Sequence, residues 1–119
     1  MAHILVIEDN DQVRFSLLTA FQAMGHDARG ALDGIEGVEK CAAERFDVVF
    51  CDLIMPRKDG AETIRELKTA HRDLKVVAMS GGGQDLDALD MRDKTGADAA
   101  ITKPFSLDEL RTCLTQVLG

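Results

Sequence analysis

The chain has no tryptophan and no tyrosine, and its aromatic content, five phenylalanines, is 4%. It has only two prolines, and no Pro/Gly/Ser-rich stretch that would serve as a linker. Nothing therefore divides residues 1–119, and a single domain is expected. The three cysteines, Cys41, Cys51 and Cys113, form no C-x-x-C pair, and their odd number suits neither a disulfide frame nor a zinc site. They read as small apolar fillers in a reducing compartment. Basic residues are outnumbered, 14 against 21 acidic, giving a net charge of −7. That balance argues against direct nucleic-acid binding, which draws its affinity from Lys and Arg on phosphates, and against docking on anionic lipid. No apolar run approaches the ~18 residues of a membrane span. The opening MAHILVIEDND reaches acidic residues at once, without the basic start of a secretory leader. The expectation is a cytoplasmic protein with no membrane partner.

What is present is an alternation of short apolar runs with amphipathic stretches. His3–Ile7 reads as a buried strand, and Asp11 to Met24 as a helix whose Val13, Leu17, Phe21 and Met24 share one face, stopped by Gly25. A weak strand at about Asp27–Ala31 precedes a helix that Asp33 caps and that runs to about Glu44. Asp47–Cys51 is a second strong strand, followed by a loop, Asp52–Asp59, and a helix capped by Asp59. Leu74–Met79 is a third strong strand, and an acidic helix is expected over about Asp85–Lys94, with Gly96 as its stop. Ala97–Ile101 is a last short strand. Ser106 and Glu109 make a capping box for a closing helix. Five rounds of strand and helix, with strands apolar throughout, predict a doubly wound α/β fold. Its five-stranded parallel sheet would carry helices on both faces.

In such a fold, ligands bind at the carboxyl ends of the strands. Glu8 and Asp9 follow the first strong strand, Asp52 the second, Ser80 the third, and Lys103 the last strand. Three carboxylates clustered together need a cation to offset their repulsion. Oxygen ligands without His or Cys suit Mg²⁺ or Mn²⁺. A metal, an ammonium and a hydroxyl around one carboxylate are the equipment for phosphoryl transfer to that carboxylate.

These residues, with Asp52 followed by Leu53-Ile54-Met55-Pro56, Asp59-Gly60, Ser80-Gly81 and Lys103-Pro104-Phe105, resemble the receiver domains of bacterial response regulators over the whole chain. The resemblance implies the flavodoxin-like strand order 2-1-3-4-5. It implies that Asp52 accepts a phosphoryl group from a phosphohistidine of a sensor histidine kinase or phosphotransfer protein. Asp9 would bind Mg²⁺ directly, Glu8 mainly through water, and the backbone carbonyl of Ile54 would complete the protein's ligands. Lys103 would pair with a phosphoryl oxygen, and the Ser80 hydroxyl would report the group's arrival. The Lys103–Pro104 bond is cis in similar proteins. Output would pass to a downstream protein effector through the helix at about Asp85–Lys94, the last strand and the last helix. Such a domain is a phospho-acceptor switch rather than a turnover enzyme. With no effector segment after Gly119, the expectation is a stand-alone receiver, a relay member or an excised piece.

Two positions depart from the family's pattern. Ala100 stands three residues before Lys103, where receivers often carry Tyr or Phe, so activation would work without a rotating ring. Ile54 and Gly82 offer no side-chain hydrogen bond to an attacking water, so a long-lived aspartyl phosphate is expected. Two other functions fit less well. A Mg²⁺ phosphatase of the haloacid-dehalogenase type needs an Asp two residues after the nucleophile, where this chain has Ile54. A flavodoxin-like flavin carrier lacks the Trp or Tyr to sandwich the ring.

Overall fold

The computed structural model describes residues 1–55, 59–81, 92 and 95–119. Five strands form one sheet: β1 (His3–Ile7), β2 (Asp27–Ala31), β3 (Val48–Asp52), β4 (Lys75–Ser80) and β5 (Ala99–Thr102). Their order is β2-β1-β3-β4-β5, all pairs parallel. Four helices are described: α1 (Asp11–Ala23), α2 (Gly34–Ala43), α3 (Gly60–Ala70) and α4 (Leu107–Leu118). The acidic stretch expected to be helical at about Asp85–Lys94 falls largely outside the described residues, as do Pro56 and Gly82. None of the helices among the described residues is long and apolar enough to cross a membrane.

The strands read as unbroken apolar runs because both faces of the sheet are covered. Leu5, Ile7, Val49, Cys51, Val76 and Ala78 enter one core with Ile64 and Leu67 of α3 and Cys41 of α2. Ile4, Val6, Val48, Phe50, Val77 and Met79 enter the other, with Leu17 and Phe21 of α1 and Leu110 and Leu114 of α4. Alternate residues thus go to opposite cores, the period-two geometry of a strand. All three cysteines are buried free thiols. Burial raises Cys41 and Cys113 to about 11.

The ends of the elements follow local chemistry. α1 closes in a Schellman turn: Gly25, at φ 91°, donates to Gln22 O and His26 N to Phe21 O. Ser106 and Glu109 form the expected capping box of α4, and Asp33 and Asp59 cap α2 and α3. Three strands lie one or two residues later than their sequence pattern suggests. Asp47 and Asp98 stand just before β3 and β5: their N–H groups donate to His3 O and Val76 O, while their carboxylates take the His3 N–H and, for Asp98, the Val76 N–H and the Lys68 ammonium. The shift makes Asp52 and Ser80 the last residues of their strands rather than the first of their loops.

Two of the three histidines, which offer no partner pattern in the sequence, have side-chain partners at long range. His3 stacks on Phe46 with its ring nitrogens on Asp27 and Glu44, at 2.7 and 2.5 Å. His26 Nδ1 accepts from Ala2 N at 2.9 Å.

Candidate functional site

Parallel register determines which side chains meet at the carboxyl edge. Val6 pairs with Phe50, so two residues further on Glu8 lies beside Asp52. Both continue the rows that face α1 and α4. Ala99 and Ile101 also face that side, and Lys103 continues their row. Glu8, Asp52 and Lys103 therefore converge on one side of one edge.

Glu8 is fully buried, and Asp52 is 5% exposed. The Lys103 ammonium bonds Glu8 Oε1 and lies 3.3 Å from Asp52 Oδ2. The second Glu8 oxygen accepts from Asn10 N at 3.1 Å. Asp52 Oδ1 accepts a long bond, 3.4 Å, from Ile54 N. Asp9 is exposed at the rim. One carboxylate oxygen from each of Glu8, Asp9 and Asp52 lies within 4.8 Å of the others.

The electrostatics show a pocket with too little positive charge. Three carboxylates against one ammonium leave a formal charge of −2. Partial burial and a hydrogen bond with Glu8 raise the Asp9 carboxyl above its ordinary value, against the smaller pull of its own backbone and of Lys103. Burial works to lower Lys103, but Glu8 and Asp52 outweigh it and the ammonium is held more tightly than usual. A divalent cation among these oxygens would bring the formal charge to zero. The donors are hard oxygens, the set that suits Mg²⁺. The residues present therefore fit a magnesium ion.

Ser80 is buried on the last rung of β4. Its hydroxyl donates to Gly81 O at 3.2 Å, and its carbonyl accepts from Lys103 N at 2.7 Å. By strand alternation it belongs to the opposite row from Asp52. The structure thus assembles Glu8, Asp9, Asp52 and Lys103, with Ser80 two strands' width from Glu8 and its hydroxyl engaged elsewhere. Ile54 is half exposed and reaches Asp52 through its N–H. The Lys103–Pro104 peptide is cis. Met55 is buried in the α2/α3 core, and Phe105 packs partly against the other, so both are packing residues.

Three supporting residues escape a reading of the sequence. Asn10, rather than Glu8 or Asp9, caps α1 by accepting Val13 N, which leaves both acids to the pocket. Gly60 is more than a turn residue. A Cβ there would lie 2.1 Å from Asp52 O and 2.5 Å from Leu53 Cα, so α3 can start against the Asp52 backbone only because position 60 has no side chain. Arg14 donates to Glu8 O at 2.8 Å and to Asp11 Oδ1 at 2.6 Å. Its (i,i+3) spacing from Asp11 was visible in the sequence; its reach back to Glu8 was not.

Comparison with known proteins bears on the family and the fold. The sequence pattern of the family described as "Response regulator receiver domain" matches residues 4–115. The chain is 36% identical to response regulator MprA of Mycobacterium ulcerans over 90% of this chain and 46% of that protein. It is 35% identical to sensor kinase CckA of Brucella abortus over 98% of this chain and 12% of that one. The chain thus spans less than half the length of these curated relatives. Among solved structures, response regulator protein TrrA from Thermotoga maritima, in complex with Mg²⁺-BeF, superposes with a TM-score of 0.87 at 27% identity, covering 99% of this chain and 100% of that one.

Proposed function

This chain belongs to the response regulator receiver domain family, and on that premise we propose that it takes a phosphoryl group onto Asp52 from a phosphohistidine. The observation that carries the reading is the cluster of Glu8, Asp9 and Asp52 oxygens within 4.8 Å of one another, with the Lys103 ammonium 3.3 Å from Asp52. Glu8, Asp9, Asp52 and the main-chain carbonyl of Ile54 would hold Mg²⁺, as the family resemblance and the donor set suggest. The ion would supply positive charge to the non-bridging phosphoryl oxygens.

The chain's own residues do the rest. An Asp52 carboxylate oxygen forms the new O–P bond as the P–N bond of the donor breaks, and the imidazole leaves with its electron pair and takes up a proton. Lys103, already between Glu8 and Asp52, exchanges its Asp52 contact for a phosphoryl oxygen. Glu8, buried and bonded by Lys103 and Asn10 N, keeps the ammonium aimed at the reacting carboxylate. The Ser80 hydroxyl would leave Gly81 O for the phosphoryl group, carrying the signal toward residues 85–94, β5 and α4. Ala100 puts no ring in that path. The domain switches a protein surface and turns over no external substrate. Its relatives include both a response regulator and a sensor kinase, which supports a kinase or phosphotransfer partner and a downstream effector; a cytoplasmic setting is proposed with them.

Incubation with Mg²⁺ and a small acyl-phosphate donor, followed by intact mass measurement, tests this. One phosphoryl adduct is expected, lost in Asp52→Ala and without Mg²⁺. An adduct that persists in Asp52→Ala, or sustained hydrolysis of a phosphomonoester with no adduct, would overturn it.

A further inference from the structure

We infer that Arg14 is a positioning residue for the acidic pair: its guanidinium grips the carbonyl of Glu8 and so sets the direction from which Glu8 and Asp9 enter the pocket. The inference rests on the magnesium-binding reading above.

Glu8 is the first residue after β1, and both of its backbone groups are held. Its N–H donates to Ala31 O at 3.0 Å, the last bond toward β2. Its carbonyl, which no strand receives, accepts from Arg14 Nη1 at 2.8 Å. The other arm of the fork reaches Asp11 Oδ1 at 2.6 Å. Arg14 itself is fixed to the same turn, because its N–H donates to Asn10 O at 2.9 Å. Residues 8 to 14 thus form a closed loop in which one guanidinium ties the end of β1 to the first turn of α1. A planar fork can satisfy two acceptors in fixed directions where an ammonium cannot.

The side chain is also seated rather than free at the surface. It is 17% exposed, and its stem crosses β2 at Gly30. A Cβ at position 30 would lie 3.0 Å from Arg14 Cδ and 3.3 Å from Cγ. Gly30 leaves a slot on the outer strand and Arg14 fills it. Lys40 takes the Gly30 carbonyl at 2.6 Å, which holds the wall of that slot in place.

Positioning and simple charge give opposite signs. A cation beside an acidic metal pocket repels Mg²⁺, so if Arg14 acted only as a charge, Arg14→Ala would tighten Mg²⁺ binding. If it orients the acids, Arg14→Ala weakens Mg²⁺ binding, by about tenfold, the lower end for residues that orient metal ligands. Arg14→Lys keeps the charge but loses the fork, and is expected to weaken binding in the same direction. Lys68→Ala serves as the control: it removes a comparable clamp, Nζ to Leu74 O at 2.9 Å and Asp98 Oδ2 at 2.8 Å, on another part of the sheet. The assay is calorimetric titration with MgCl₂ alone, together with amide chemical shifts of residues 8–10 in metal-free protein. The expected result is weaker Mg²⁺ binding and displaced Asp9 and Asn10 amides in both Arg14 variants, with Lys68→Ala unchanged. Unchanged or tighter Mg²⁺ binding in Arg14→Ala, or equal weakening in Lys68→Ala, would overturn the inference. A wild-type protein that binds no Mg²⁺ would instead overturn the reading of the pocket on which it rests.

Discussion

Replacing Lys103 with methionine removes one charge and keeps an unbranched stem in place. Lys103 is 20% exposed, and the side chains it faces, Glu8 and Asp52, are 0% and 7% exposed. At an effective dielectric constant of about 20, an ammonium 3.3 Å from a carboxylate is attracted by about 5 kcal/mol. The contact with Glu8 adds a second attraction. Desolvation of the ammonium offsets part of this, but the variant still leaves two buried carboxylates facing each other without a cation. Removing one partner of a buried pair costs about 3–5 kcal/mol, a large share of the about 5–15 kcal/mol that holds a domain together.

Urea unfolding in EDTA measures that loss. The probe must be far-UV circular dichroism, because the chain has no Trp or Tyr to fluoresce. The formal charge of the pocket goes from −2 to −3 in the variant, so Mg²⁺ should stabilise Lys103→Met more than the wild type and narrow the gap. For scale, a ligand at about 100 times its dissociation constant stabilises by about 2.7 kcal/mol. The reasoning fails if Lys103→Met loses less than about 1 kcal/mol in EDTA, where a buried pair should cost several times that. It fails equally if Mg²⁺ stabilises both proteins to the same extent.

Asp9, raised above its ordinary value by burial and by Glu8, makes the metal-free fold bind more protons than the unfolded chain just above pH 3.8. Ionised Asp9 therefore opposes folding once the pH exceeds its raised value; Asp9→Asn should unfold at higher urea than wild type at pH 7 in EDTA, with the gain vanishing below the unfolded value, and a less stable variant at neutral pH would contradict this. Gly60→Ala forces a methyl against the Asp52 and Leu53 backbone, whereas Gly37→Ala meets only the Ile7 side chain, Cδ1 at 2.3 Å and Cγ1 at 2.9 Å. Thermal denaturation should show Gly60→Ala losing more than the about 1–3 kcal/mol of ordinary overpacking and Gly37→Ala less than Gly60→Ala; equal losses would count against the backbone argument. Ser106→Ala breaks the capping box of α4, in which Ser106 Oγ accepts Glu109 N at 3.1 Å, and should lower stability by about 0.5–2 kcal/mol in the same assay while leaving the proposed phosphoryl uptake at Asp52 intact.

Much of this was legible because local chemistry and global fold agree. The ranges of β1 and β2 and the caps at Asp33, Asp59 and Ser106 follow from residue type alone. The Glu8, Asp52 and Lys103 side chains could be placed at one edge because a parallel sheet sends all its carboxyl ends the same way. What stayed hidden depends on neighbours far off in sequence. Asp47 and Asp98 stand just before β3 and β5 with both main chain and carboxylate bonded to His3 and Val76, contacts that no local pattern announces. Gly60 reads as a turn glycine until the Asp52 backbone is seen against it. Arg14 reads as the polar face of an amphipathic helix until its fork is followed to Glu8.

Strand alternation carries a further consequence that element order alone does not reach. Even-numbered residues of β3 face α1 and α4, and odd-numbered ones face α2 and α3. Asp52 is even, so it meets Glu8 and Lys103; Leu53, its neighbour, packs into the other core. On β4 the assignment is reversed, since Val77 and Met79 face α1 and α4 and Ser80 belongs with Ala78. Ala100 lies opposite Ala78 in the ladder and packs into that same core. The hydroxyl and the carboxylates thus belong to different sides of the sheet, and only the turn after β4 can bring Ser80 to a group on Asp52. With methyl groups at both 78 and 100, no bulky side chain on that row stands between Ser80 and the α2/α3 core. On the proposed reading, the freedom to switch would reside in the backbone at Ser80-Gly81, where a would-be Cβ on the glycine meets nothing within 4 Å among the described residues.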